Sequence, residues 1–243
     1  MPNYKTHSIH GELILPEMDK RIEINDEDIK SFCMGPDAMI VTDYKTFKFQ
    51  HANKTKEFFE SLIKLIKKNK LQDNSEIMAY LYGYLDHFVL DSTMHPLIYY
   101  MTEGMESKHK MNPHGLIENW IDDYTSKKYH KNDKNYYRKK KINDIKLIEL
   151  INKVYKRVYG TNFEGIKYSI GMHATTLYDT LARRNMIKIT PLVIKLLNIG
   201  DFTYQEDIER VLPYLNLENN NWNNPITGEK YNDSVLITDE SLC

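Results

Sequence analysis

The sequence predicts an all-α fold, a compact multi-helix domain with a metal site between helices. Three observations carry that expectation. Apolar residues recur at helical spacing in segment after segment, two-residue alternation is nowhere sustained, and two segments place His, Asp and Glu four residues apart.

Between Thr55 and Asn69, Phe58, Phe59, Leu62, Ile63, Leu65 and Ile66 share one face with lysines opposite, which predicts an amphipathic helix. From Ser75, the stretch SEIMAYLYGYLDHFVLDSTMHPLIYYM opens on a serine suited to N-capping and stays apolar nearly all round. That pattern predicts a central helix buried on several sides, which Pro96 ends or kinks. Further helices are expected at 113–127, 144–158, 164–186, 189–198 and 204–215. The Asn-rich stretch LNLENNNWNNPITGEKYNDS reads as surface loop, so a loop-rich tail is expected from about 216 of a single domain spanning 1–243.

Composition narrows the function classes. With 243 residues, 41% hydrophobic, 28% charged and a formal charge of −1, the chain can bury a substantial core and is not a globally basic nucleic-acid binder. Any basic partner surface is therefore local. One candidate is KKYHKNDKNYYRKKK, where Tyr129, Tyr136 and Tyr137 interleave with Lys127, Lys128, Arg138, Lys139, Lys140 and Lys141. Such a run suits an anionic lipid surface or single-stranded nucleic acid, and it is equally the composition of a solvated loop. Cys33 and Cys243 are too few for a disulfide framework, and no CxxC occurs, so a reducing compartment is expected. The opening MPNYKTHSIHGELILPEMDK lacks the apolar run of roughly 7–15 residues that a secretory leader needs, and no later run reaches the ~18 of a membrane span. The expectation is a cytoplasmic protein, or a secreted one if a leader has been removed.

The chemistry gathers in HFVLDSTMHP. Residues four apart on a helix lie about 40° apart around its axis, so His87, Asp91 and His95 rise along one side and can face one cavity. Imidazole and carboxylate are the usual zinc donors, although each could also be a hydrogen-bonded core residue. A second pair, His114 and Glu118 in PHGLIENWIDDY, repeats the spacing on a helix that Pro113 suits as a start. Alone, such a pair is also what a solvated i,i+4 contact looks like. The absence of cysteine excludes thiolate and iron–sulfur sites from this group and leaves manganese or iron open beside zinc. His109, His130 and His173 lack ligand-type neighbours and read as surface or packed side chains.

Four segments in order, YKTHSIHGELIL, MGPDAMIVTDYKTFKFQH, GYLDHFVLDSTMHPLI and HGLIENWIDDY, make the chain resemble the bacterial zinc-dependent phospholipase C family. Its superfamily also includes zinc-dependent single-strand nucleases. The resemblance covers nearly the whole chain. It implies an all-helical domain with up to three zinc ions and hydrolysis of a phospholipid or other phosphodiester by metal-activated water. It matches His7 to the family's first histidine, with His10 as the alternative, and Asp37 in GPD to the early aspartate. His51 lies at the family's spacing after Asp37, His87 and Asp91 match its HxxxD, with the aspartate as bridge, and His114 and Glu118 match its HxxxE. His95 is the remaining histidine, closer to Asp91 than in the secreted enzymes.

The resemblance assigns Asp37, His51, His87 and Asp91 to one metal and His95, His114 and Glu118 to a second, with Asp37 as an alternative general base. The secreted enzymes use an amino-terminal tryptophan on the third zinc, and no tryptophan precedes His7 here. Two or three Zn2+ ions are therefore expected, the third absent, weakly held by His7 and Asp91, or completed differently. A nuclease on the same metals and a non-catalytic, metal-stabilised binding protein are the alternative readings.

Overall fold

A computed structural model describes residues 4–18, 22–102, 113–129, 142, 144–183, 221–223 and 230–232. The described residues are overwhelmingly helical, as the periodicity predicts. α1 (Tyr4–Ile14) runs into a 3-10 turn, Leu15–Glu17, and is followed by α2 (Asp26–Phe32). A second 3-10 turn, Gly35–Met39, leads to α3 (Tyr44–Ala52) and α4 (Thr55–Lys68). Then come α5 (Ser75–Thr102), α6 (Pro113–Lys128), α7 (Ile145–Tyr159) and α8 (Gly165–Arg183).

Local chemistry explains the helix ends. Asn25 caps α2 by accepting from the Glu27 and Asp28 amides, and Asp26, Glu27 and Asp28 place negative charge at its positive end. Asp43 caps α3 through the Thr46 amide, and Asp144 caps α7 through that of Lys146. α7 stops at Gly160, whose φ of 71° is left-handed. The cap of α5 differs from expectation. Ser75 is its first helical residue, and Asn74 Oδ1 accepts the Ile77 amide at 3.0 Å. Asn74 is itself held by a 2.7 Å hydrogen bond from its Nδ2 to Asp144 Oδ2, while Ser75 Oγ accepts the Asn25 amide.

α5 divides into two halves. Its first half lies in the main core, where Ile77, Tyr80 and Tyr84 are fully buried against Phe32, Phe58, Leu62, Ile151 and Tyr155. Its second half packs on α6 through Ile98, Ile117 and Ile121. Pro96 was expected to end or kink this helix; it does not end it, since α5 continues through the proline to Thr102. A helical proline costs about 3 kcal/mol. Burial of Ile98 and Tyr99 beyond it offsets that loss.

One departure is a short antiparallel pair, β1 (Asn221–Asn223) and β2 (Lys230–Asn232), with Trp222 opposite Tyr231, inside the stretch read as loop. Three-residue strands are too short to display a period. The helices expected at 189–198 and 204–215 lie outside the described residues, as do Arg138, Lys139, Lys140, Lys141, His109, His130 and Cys243. Lys127 and Lys128 are exposed at the end of α6. No described helix is long and apolar enough to cross a membrane.

Candidate metal centre

Helix geometry places His87 and Asp91 one turn apart on α5, and tertiary packing brings the other side chains to them. α1 delivers His7, whose Nε2 lies 3.2 Å from Asp91 Oδ1. The turn before α3 delivers Asp37, and the last turn of α3 delivers His51, with His51 Nε2 at 3.0 Å from Asp37 Oδ1. Asp91 Oδ2 sits 3.3 Å from His87 Nε2 and 3.8 Å from His51 Nε2. On the other side of Asp91, His95 meets α6, where His114 Nε2 is 2.8 Å from Glu118 Oε1 and the His95 and His114 ring centroids are 5.5 Å apart.

Three groups of donor atoms result: His7, His87 and Asp91; Asp37, His51 and His87; and His95, His114 and Glu118. Within each group the atoms lie within 4.8 Å of one another. All eight side chains anticipated from the sequence are in these groups. His10, the alternative to His7, is not; it turns to Asp86, 2.5 Å away, on the neighbouring face of α5. His173 is exposed on α8.

The second ring nitrogens are tied back to the backbone. His87 Nδ1 donates to the Cys33 carbonyl at 3.1 Å, His51 Nδ1 to Phe47 at 2.8 Å and His95 Nδ1 to Asp91 at 2.9 Å. Donation from Nδ1 to a carbonyl fixes each ring's orientation and makes Nε2 its metal-facing atom, the usual outer-shell arrangement around a metal-ligating histidine. Sequence reasoning left Cys33 without an assigned role. Its backbone carbonyl supplies one, and no side-chain pattern could have shown it.

Two glycines make the close packing here possible. Gly35 has a left-handed φ of +52°, and a Cβ on it would lie 2.4 Å from the His87 ring. A Cβ on Gly171 of α8 would lie 1.6 Å from the Ala38 carbonyl oxygen, so α8 presses directly on the turn that carries Asp37. Tyr168 OH donates to the Gly35 carbonyl at 3.2 Å and Thr42 Oγ1 to that of Lys167 at 2.9 Å, pinning the same turn.

The electrostatics suit a cation. His7 Nδ1 and Nε2, both oxygens of Asp37, His87 Nε2 and Asp91 Oδ1 are buried without a hydrogen-bond partner. His7 Nε2 and Asp91 Oδ1, although 3.2 Å apart, make no hydrogen bond with each other. An unmet buried donor or acceptor costs about 1–3 kcal/mol. Six such atoms at one place fit residues built to bind a positive ion, and imidazole with carboxylate is a zinc donor set. Burial, with His87 alongside, lowers the pKa of His7. Burial lowers that of His95 to about 4 and that of His114 well below its ordinary value. Burial acts the other way from the carboxylates at His87, but Asp91 and Asp37 prevail and raise it to about 9. Asp91 is likewise held well below the usual carboxylate range, the penalty of burial being overcome by His87 and His7. His95 and His114 are thus neutral near pH 7, while a cation entering beside His87 displaces a proton.

The family model described as zinc dependent phospholipase C matches residues 6–165, a span that includes all eight side chains. No curated protein and no solved structure matches the chain.

Proposed function

We propose that this chain, which belongs to the zinc-dependent phospholipase C family, hydrolyses phosphate esters of phospholipase C type at two or three zinc ions. His51, His87, Asp91 and Asp37 would hold one ion, His95, His114 and Glu118 a second, and His7 with Asp91 would contribute to a third. The observation that carries this reading is the convergence of these donors from five separate elements, with buried, unpaired nitrogen and oxygen atoms on His7, Asp37, His87 and Asp91.

Zinc, when bound, supplies Lewis acidity toward a phosphoryl oxygen and lowers the pKa of water in its coordination sphere. The chain's own residues do the rest. Asp91, whose two oxygens lie near His7 and His87, would help to hold more than one ion. Asp37 sits buried beside His51 with neither carboxylate oxygen hydrogen-bonded, and this carboxylate would take the proton of an attacking water. The carbonyls of Cys33, Phe47 and residue 91 hold the rings against reorientation. His7 and His87 are fully buried, whereas the His51, His95 and His114 side chains are 15%, 16% and 23% exposed. Substrate therefore approaches from the His51, His95 and His114 side.

The test uses protein purified without chelator, assayed for zinc content and for diacylglycerol release from phosphatidylcholine vesicles. Two or three equivalents of zinc with diacylglycerol release is the expected result. Cleavage of single-stranded nucleic acid without lipid turnover would move the substrate assignment to the nuclease branch. Near-zero zinc in the wild type, or zinc with neither activity, would overturn the hydrolase reading.

A further inference from the structure

α6 carries one more acidic side chain in phase with His114 and Glu118. Asp122 lies a further turn along the same helix and is fully buried. It is in none of the donor groups and receives the start of α1: Lys5 N–H donates to its Oδ2 at 3.2 Å, Thr6 N–H to Oδ1 at 2.8 Å and Thr6 Oγ1 to Oδ1 at 2.7 Å. Thr125 Oγ1, about one turn further along α6, is 3.5 Å from the same hydroxyl.

The amides of Lys5 and Thr6 belong to the first turn of α1, whose N–H groups have no partner within the helix. A carboxylate at that end satisfies them and meets the positive end of the helix dipole. Here the cap comes from a helix 116 residues away in sequence, so it fixes the tertiary position of α1 as well as its start. The residue after Thr6 is His7. Its ring stacks on that of His87 at 4.3 Å and 20°, and its Nε2 reaches Asp91.

We propose that Asp122 is the positioning residue that seats His7 at Asp91, so that one face of α6 supplies Glu118 and His114 to one donor group and sets the geometry of another. The metal part of this inference rests on the reading of His7 as a zinc ligand; the positional part does not.

The test compares wild type, Asp122→Asn, His7→Ala and the double variant. In metal-free protein, the nuclear Overhauser contact between the His7 and His87 rings is expected to vanish in Asp122→Asn while other core contacts persist. In zinc-loaded protein, chelator competition is expected to show a loss of about 10–100-fold in affinity for one ion, the scale of outer-shell substitutions. That ion is the same one lost in His7→Ala, the double variant loses no more, and the ion at His95, His114 and Glu118 stays. A folded Asp122→Asn protein that keeps both the ring contact and the full zinc affinity overturns the proposal. So does one that weakens all ions equally. Should Asp122→Asn fail to fold, Thr6→Val removes a single donation to the same carboxylate; a weakened ring contact there supports the proposal and an unchanged one overturns it. A wild type that binds no zinc would overturn the hydrolase reading alone, because the ring contact still decides the role of Asp122.

Discussion

Replacing Asp91 by Asn keeps the shape of the side chain and removes its charge, at a point where four imidazoles converge. Its carboxylate oxygens lie 3.2 Å from His7 Nε2 and 3.3 Å from His87 Nε2. A unit charge pair at that separation is worth about 5 kcal/mol at an effective dielectric constant of about 20. Compensating reorganisation and the amide's own dipole recover part of this, leaving about 3 kcal/mol, or at least 100-fold in affinity, for each cation that Asp91 contacts. Elemental analysis after exhaustive dialysis is expected to show two or three zinc ions per chain in the wild type and one in Asp91→Asn. The retained ion belongs to His95, His114 and Glu118, where Glu118 supplies the charge. Chelator competition then measures the affinity loss directly. A folded Asp91→Asn protein with wild-type stoichiometry and affinity would refute the placement of Asp91 between metals, and the bridging argument with it.

Glu118→Gln is expected to have the complementary effect, removing the ion at His95 and His114 while sparing that at Asp37 and His51, as read by zinc content. Gly171→Ala forces a methyl group against the Ala38 carbonyl and is expected to destabilise the protein by about 1–3 kcal/mol in urea titration, with weaker zinc binding beside Asp37. Unchanged stability would show that α8 does not press on that turn. The metal-free protein is expected to be most stable near pH 6.5. His87, raised to about 9, contributes stability that is complete below its unfolded value of about 6.5 and is lost as pH rises to 9. His95, lowered to about 4, favours the unfolded chain increasingly as pH falls from 6.5 to 4, because there the unfolded state binds the proton first. Each is worth at most about 3 kcal/mol. Urea midpoints of chelator-treated protein that are equal at pH 6.5 and 9 would contradict the His87 environment.

The helical class and the spacing of the candidate donors were legible in the sequence because both are local. A period of 3.6 residues puts the apolar faces of α4 and α7 on one side, and steps of four put His87 over Asp91 and His114 over Glu118, wherever those helices pack. Resemblance to the family added His7, Asp37 and His51, which no spacing rule connects. Asp122 had a signal too, one further step of four after Glu118, but spacing cannot say that it points to α1.

Tertiary structure alone decided that His7, and not His10, lies against Asp91. They lie three residues apart on one helix, and which of them meets Asp91 depends on how α1 rolls on α5, fixed by Asp122 at its start and by the turn to Asp86 at His10. It also decided that α5 passes through Pro96, since burial beyond the proline outweighs the local cost, and that the Cys33 carbonyl orients His87. Local spacing determines which atoms share a helix face. Only the burial of one face against another determines which of those faces meet.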